Sequence, residues 1–139
     1  MSLRFLLDTN AISEPLKPVP NDAFLRRFRL HGAEMAISVT TWHEALFGMF
    51  RLPEGRKRRH VRDYLFDVIA ATLPILPYDA AAAQWHAEER ARLGARGRNV
   101  PFADGQVAAV ARVHNLTVVT ANVKDFQFFA KLPVENWLV

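Results

Sequence analysis

Four places in the sequence carry acidic or amide side chains where chemistry is most often built: Asp8, Glu44, Asp104, and the neighbours Asn122 and Asp125. Asp8 stops the apolar run Leu3, Phe5, Leu6, Leu7. Glu44 lies in the first turn of a helix entered from a second apolar run. Asp104 lies in the first turn of a late helix, and Asn122 and Asp125 follow the β-prone run Thr117, Val118, Val119, Thr120. In an open α/β sheet, ligands bind beyond the carboxyl ends of the strands, so acids at the same end of successive elements are candidates for one site. Taken singly, each has an ordinary reading. Asp8 is a helix N-cap, Glu44 completes a capping box with Thr41, Asp104 faces a helix dipole, and Asp125 is a solvated turn residue. Their joint placement is the informative feature. Carboxylates held within a few ångströms repel, and one of them must keep a proton unless a cation is present. All-oxygen ligands select Mg²⁺ or Mn²⁺ over zinc or copper. Such a cation beside a basic surface suits phosphodiester chemistry, by polarising a phosphoryl oxygen and lowering the pKa of a water. A second metal about 3.5–4 Å away would stabilise the leaving oxygen. No nucleophile elbow, P-loop or HExxH helix is present. His31, His43, His60, His86 and His114 have no ligand spacing and read as surface or packing residues.

The elements that must position these groups follow from hydrophobic periodicity and turn chemistry. Short strands are expected at residues 3–7, 35–37, 74–77 and 117–120, with a last edge strand at residues 134–138. Between them the sequence predicts a short helical turn at Ala11 to Glu14 and a helix capped by Asn21 or Asp22 that runs to about His31 and ends at Gly32. A helix led by Thr41 follows, then an amphipathic helix from Arg56. A long helix from Ala80 to about Arg92 is capped by Asp79, and another runs from about Ala103 to His114, ended by Asn115. Residues 94–99 read as a basic, glycine-containing loop. Phe24, Leu25 and Phe28 are assigned to an inner face; Phe47, Phe50 and Leu52 are mostly assigned to the core, with some left for a partner surface. Strands alternating with helices, without a tight hairpin, predict a parallel sheet covered on both faces.

Composition sets the outer bounds. The 139 residues fit one domain, residues 1–139, with a real core. Cysteine is absent, which excludes disulfides, thiolate metal sites and a thiol nucleophile. No apolar run approaches a membrane span and no signal peptide is visible, so no membrane role and a cytoplasmic location are expected. The net charge of +4 suits a polyanionic partner.

The motifs Leu6-Leu7-Asp8-Thr9-Asn10, Ser38-x-x-Thr41-x-x-Glu44, Ala103-Asp104-x-x-x-Ala108-Ala109 and Val119-Thr120-x-Asn122-x-x-Asp125-Phe126 resemble those of the PIN-domain ribonucleases. The match is closest to the VapC/FitB-like toxins of type II toxin–antitoxin modules. Four loose motifs in order over nearly the whole chain make the resemblance specific. It implies a PIN-like α/β/α sandwich with a short-stranded, mainly parallel central sheet. It also implies a Mg²⁺- or Mn²⁺-dependent endoribonuclease, a homodimer, and inhibition by a VapB-like antitoxin. Asp8, Glu44 and Asp104 fall on the family's regular acidic positions. At the fourth position, where relatives often carry Asp, this chain has Asn122. Asp125 is favoured as the acid, with Asn122 as a neutral ligand or water-positioning group. Thr9 and Thr120 either orient waters on the metal or make local turn hydrogen bonds. Arg56, Lys57, Arg58 and Arg59 at one helix start, and Arg96 and Arg98 before the Asp104 helix, are candidate RNA contacts, the alternative being a solvated face. Two other functions compete: a non-catalytic RNA-binding or regulatory module with the same fold, left open by Asn122, and, ranked last, a structure-specific DNA nuclease.

Overall fold

The computed structural model describes residues 2–139. Five short strands form its centre: β1 (Phe5–Leu7), β2 (Met35–Ser38), β3 (Ile75–Leu76), β4 (Thr117–Val119) and β5 (Val134–Glu135). They lie in the order β3-β2-β1-β4-β5, and every neighbouring pair is parallel. β1 is central, with Leu6 opposite Ala36 on one side and Val118 on the other. Its three residues are all buried, because helices cover both faces of the sheet. Side chains alternate between the two cores. Phe5, Leu7, Met35, Ile37 and Val119 enter one, and Leu6, Ala36 and Val118 enter the other.

The first core is closed by α1 (Thr9–Ser13), α2 (Asp22–Leu30) and α3 (Val39–Arg51), and by the helical passage after Arg56. That passage is α4 (Arg56–Asp63), a wide π turn at Tyr64–Ile69, and α5 (Ala70–Thr72). The π turn is tied to α1 by the Tyr64 hydroxyl, which donates to the Ile12 carbonyl at 2.6 Å. The second core is closed by α6 (Ala80–Ala95) and α7 (Phe102–Val113). Ala108, Ala109 and Ala111 keep α7 narrow, so that it packs closely on the sheet and on α6. α8 (Val123–Phe126) follows β4. Among the described residues no helix is long and apolar enough to cross a membrane.

Several local expectations are corrected. Ser38, not Thr41, caps α3: its Oγ accepts from the Thr41 amide at 3.1 Å, and Thr41 itself is buried inside the first turn. Glu44 is therefore not a capping-box glutamate and stays available. α2 ends on His31, and Gly32 opens a 3₁₀ turn instead of terminating the helix. α6 runs three residues past Arg92, through Gly94, because its buried face continues to Leu93. The first and last strands are shorter than expected. Phe47 and Phe50 are 57% and 58% exposed, not core. The buried stripe of α3 is Thr41, Ala45 and Met49, and the two phenylalanines lie off it beneath the guanidinium groups of Arg51 and Arg58.

One polar anchor holds the C-terminal segment to α6. Buried Glu89 accepts two hydrogen bonds from Arg92, both at 2.8 Å, and one from the Ala130 amide at 2.7 Å. The two cationic hydrogen bonds hold the Glu89 carboxyl below its usual range. Glu89→Ala leaves these donors without an acceptor. It is expected to cost about 2 kcal/mol in a urea titration.

Candidate active site

The carboxyl end of the sheet gathers the acids. Asp8 follows β1 directly and caps α1, its Oδ1 accepting from the Ala11 amide at 2.9 Å. The cap reading and the site reading are thus both realised by one residue. The Thr120 hydroxyl accepts from the Asn122 amide at 2.9 Å and lies near enough to the Asp8 carboxylate to favour its charged form. Thr9 Oγ1 donates to Glu44 Oε1 at 2.8 Å. Thr9 therefore holds a carboxylate, and Thr120 makes a turn bond beside another.

Asp104 enters from the first turn of α7, whose N-cap position is Pro101 and offers no side-chain cap. Asp125 enters from α8, which is opened by Asn122. The four carboxylates are near enough to act on one another. Burial, then the charges of Asp125, Glu44 and Asp8 in that order, push the Asp104 carboxyl up to about 6 from the ordinary 3.8. Burial, with a smaller contribution from Glu44, also raises Asp8 above its ordinary range, against the opposing hydrogen bonds from Thr120 and Ala11. Asp8 is buried, Asp104 half-buried, and Glu44, Asn122 and Asp125 exposed. Among the described residues none of the four acids makes a salt bridge. No group of three or more His, Cys, Asp or Glu side chains among them stands in metal-holding geometry. The electrostatics nonetheless fit a hard dication: four oxygen-donor side chains, two of them held above their ordinary pKa, with no protein cation paired to them.

The basic residues separate into two places. Arg56, Lys57, Arg58 and Arg59 start α4, at the opposite end of α3 from its junction with β2, where Arg58 lies over Phe50. They do not adjoin the acids. Arg98 does: it shares a cleft with Lys124 and Asp125. Arg96 is the exposed C-cap residue of α6.

Three residues beside the site have no functional reading in the motif pattern. His86 of α6 is buried, and its Nδ1 is hydrogen-bonded to the Tyr78 hydroxyl at 2.8 Å. Burial, and secondarily Arg90, lower its pKa, which keeps the ring neutral at pH 7. The imidazole fills the place of the missing side chain at Gly105: a Cβ there would overlap Nε2, Cδ2 and Cε1 of the ring. Gly105 is adjacent to Asp104, so this contact sets the distance between α6 and the acid-bearing turn of α7. A glycine inside a helix, which costs about 1 kcal/mol relative to alanine, was the sequence signal for it.

A protein-family model described as "PIN domain" matches residues 5–132. Toxin FitB of Neisseria gonorrhoeae is 36% identical over 136 residues, covering 94% of this chain and 96% of that protein. The tRNA(fMet)-specific endonuclease VapC of Shigella flexneri is 32% identical, covering 97% and 98%. The crystal structure of DNA-bound VapBC from Salmonella typhimurium superposes with a TM-score of 0.82 at 29% identity, over 97% of this chain and 98% of that one.

Proposed function

Because the chain belongs to the PIN-domain family, among its VapC/FitB-like toxins, we propose that it is a metal-dependent endoribonuclease, the toxin of a type II toxin–antitoxin pair. It acts in the cytoplasm and hydrolyses RNA phosphodiester bonds. The observation that carries this reading is the meeting of Asp8, Glu44, Asp104 and Asp125 with no salt bridge to any of them among the described residues; burial, and then the charges of the other three, hold the Asp104 carboxyl up at about 6. A partly buried acid cluster of this kind is stabilised in its charged form by a cation. Relatives named as a toxin and as a tRNA endonuclease support the substrate class.

Asp8, Glu44, Asp104 and Asp125 would hold Mg²⁺ or Mn²⁺, with Asn122 as a neutral oxygen donor. Bound there, the ion supplies Lewis-acid polarisation of the phosphate and a lowered pKa for the attacking water. The chain's own groups do the rest. Thr120 favours the charged form of Asp8, and Thr9 fixes the orientation of Glu44. The capping bond from Ala11 commits Asp8 Oδ1 inward. Arg98 and Lys124 offset the repulsion between the acids and an incoming polyanion. A homodimer and a VapB-like antitoxin complete the reading. The exposed rings of Phe47 and Phe50 are apolar surface that such contacts would cover.

The test is cleavage of total cellular RNA by the purified protein with Mg²⁺ or Mn²⁺, with EDTA, and beside Asp8→Asn. Discrete metal-dependent products that vanish in the variant are expected. RNA binding without cleavage by the folded wild type would instead favour a non-catalytic module. Asp8→Asn and Glu44→Gln are each expected to lower cleavage by orders of magnitude without unfolding the chain.

The fourth ligand has its own test. Asp125 acts on Asp104 more strongly than either other acid does, whereas Asn122 engages Thr120 through its backbone. Asp125→Asn should therefore reduce cleavage and Mn²⁺ affinity more than Asn122→Ala does. The reverse order would move the fourth ligand to Asn122.

A further inference from the structure

Arg98 and Phe128 are held face to face beside the acid cluster by two separate devices, both built on α6. The guanidinium carbon of Arg98 lies 3.5 Å from the Phe128 ring centroid. Arg98 is placed by the way α6 ends. Gly97, at φ 75°, turns the chain; its amide donates to the Gly94 carbonyl at 3.0 Å, and the Arg98 amide donates to the Leu93 carbonyl at 2.9 Å. This is a Schellman closure, which leaves the residue after the glycine with little backbone freedom. Phe128 is placed from behind. Its carbonyl accepts from Arg92 Nη2 at 2.8 Å, and Arg92 is itself clamped by buried Glu89.

The stack forms one wall of a cleft of about 250 Å³ that also contains Lys124 and Asp125. Among the described residues Arg98 makes no salt bridge, although a carboxylate lines the same cleft. Among the described residues its N–H groups are not committed to a carboxylate. A guanidinium lying over a ring presents a second flat face outward and its N–H groups in the plane between. That geometry suits a stacked base with a phosphate at the edge, and a lysine in its place would offer charge without a plane. Unpaired bases are the part of an RNA that can be splayed onto such a surface.

We propose that the Arg98–Phe128 stack is a nucleobase subsite, which seats one unpaired base of the RNA beside Asp125 while Lys124 and the Arg98 edge take an adjoining phosphate. The subsite thereby selects which phosphodiester bond reaches the acids. It rests on the ribonuclease reading for its ligand and adds to it the residues that set the register.

The test uses the full chain carrying Asp104→Asn, so that RNA is bound and not cut, and a labelled single-stranded RNA with one abasic position walked along it. At one position, loss of the base is expected to weaken binding roughly tenfold, within the range for base stacking on a platform. Arg98→Lys and Phe128→Ala should remove that contrast, and Arg98→Lys should leave the salt dependence of binding unchanged, since the charge is kept. In the cleaving wild-type background, the same two substitutions should shift or blur the cut position. A flat abasic profile in a protein whose parent still cleaves RNA overturns the subsite and leaves the ribonuclease reading intact. Full retention of the contrast in Arg98→Lys also overturns it, as a clamp on phosphate alone. No binding of any single-stranded RNA, together with no cleavage, overturns both.

Discussion

Asp104→Asn is expected to abolish RNA cleavage, by orders of magnitude, and at the same time to raise the melting temperature of the metal-free protein at pH 7. The two effects share one cause. The folded chain holds the Asp104 carboxyl at about 6 against an ordinary 3.8, through burial and three neighbouring acids. A carboxyl raised in this way favours the fold in its neutral form. That contribution is complete below pH 3.8 and is lost as pH rises through about 6. At pH 7 the wild type therefore carries an unfavourable charge that asparagine lacks, at nearly the same shape. The stability gain of the variant should shrink as pH falls and vanish below the ordinary carboxylate value. Saturating Mg²⁺ should reverse the ranking, because an ion bound only to the folded wild type stabilises it and gains little from a site with one acid fewer. Melting curves at several pH values, with and without Mg²⁺, decide the matter. Near-wild-type cleavage by a folded Asp104→Asn chain would remove Asp104 from the site, and an unchanged melting temperature at pH 7 would mean that the acids are not in conflict.

Gly105→Ala should also damage activity, by a purely steric route. On an open helix this change stabilises, by about 1 kcal/mol of helix propensity. Here the new methyl meets the imidazole of His86, which the Tyr78 hydroxyl and the surrounding helices hold in place. Overpacking of a closed interface costs about 1–3 kcal/mol. The sign of the substitution is thus expected to invert, with a lower unfolding midpoint. Because the strained contact is next to Asp104, Mn²⁺ affinity and cleavage should fall together, by tenfold or more. The complementary change separates this cause from general damage. His86→Ala alone leaves a void and destabilises, but combined with Gly105→Ala it removes the clash. The double variant should recover both metal affinity and stability relative to Gly105→Ala, giving a coupling of opposite sign to the single effects. Additive losses would show that the two residues do not oppose each other.

Both variants act on a region where the chain departs from what local stability alone would choose. Asp104 faces three other acids, and Gly105 weakens its helix. A residue that a local rule disfavours is retained when something else depends on it. Here the dependent feature is the approach of α7 to α6 and to the acid-bearing ends of β1 and β4.

The parts of this protein legible in the sequence are those whose causes lie within a few residues. The apolar runs ending at Asp8 and near Ser38 were readable as buried strands, because a strand covered on both faces needs no polar alternation. Asp79 and Asn21 were readable as caps, since a cap bonds an amide three residues ahead. The motifs at Asp8, Asp104 and Asp125 pointed to an acid site because each lies at the start of a helix or just beyond a strand, whereas Glu44, expected in a first turn, lies in the second turn of α3. The tertiary structure alone decided how these local pieces meet. The order β3-β2-β1-β4-β5 places β1 between β2 and β4, which brings acids as distant in the chain as Asp8 and Asp104 within reach of one another. It separated the Arg56 cluster from the site and set Arg98 beside it, though both are runs of the same charge. It turned Phe47 and Phe50 outward, and it placed His86 where Gly105 has no side chain. These outcomes depend on packing between elements distant in the chain. No window of sequence holds both partners of such a contact, and the energy that chooses between them is the burial gained when the whole sheet closes.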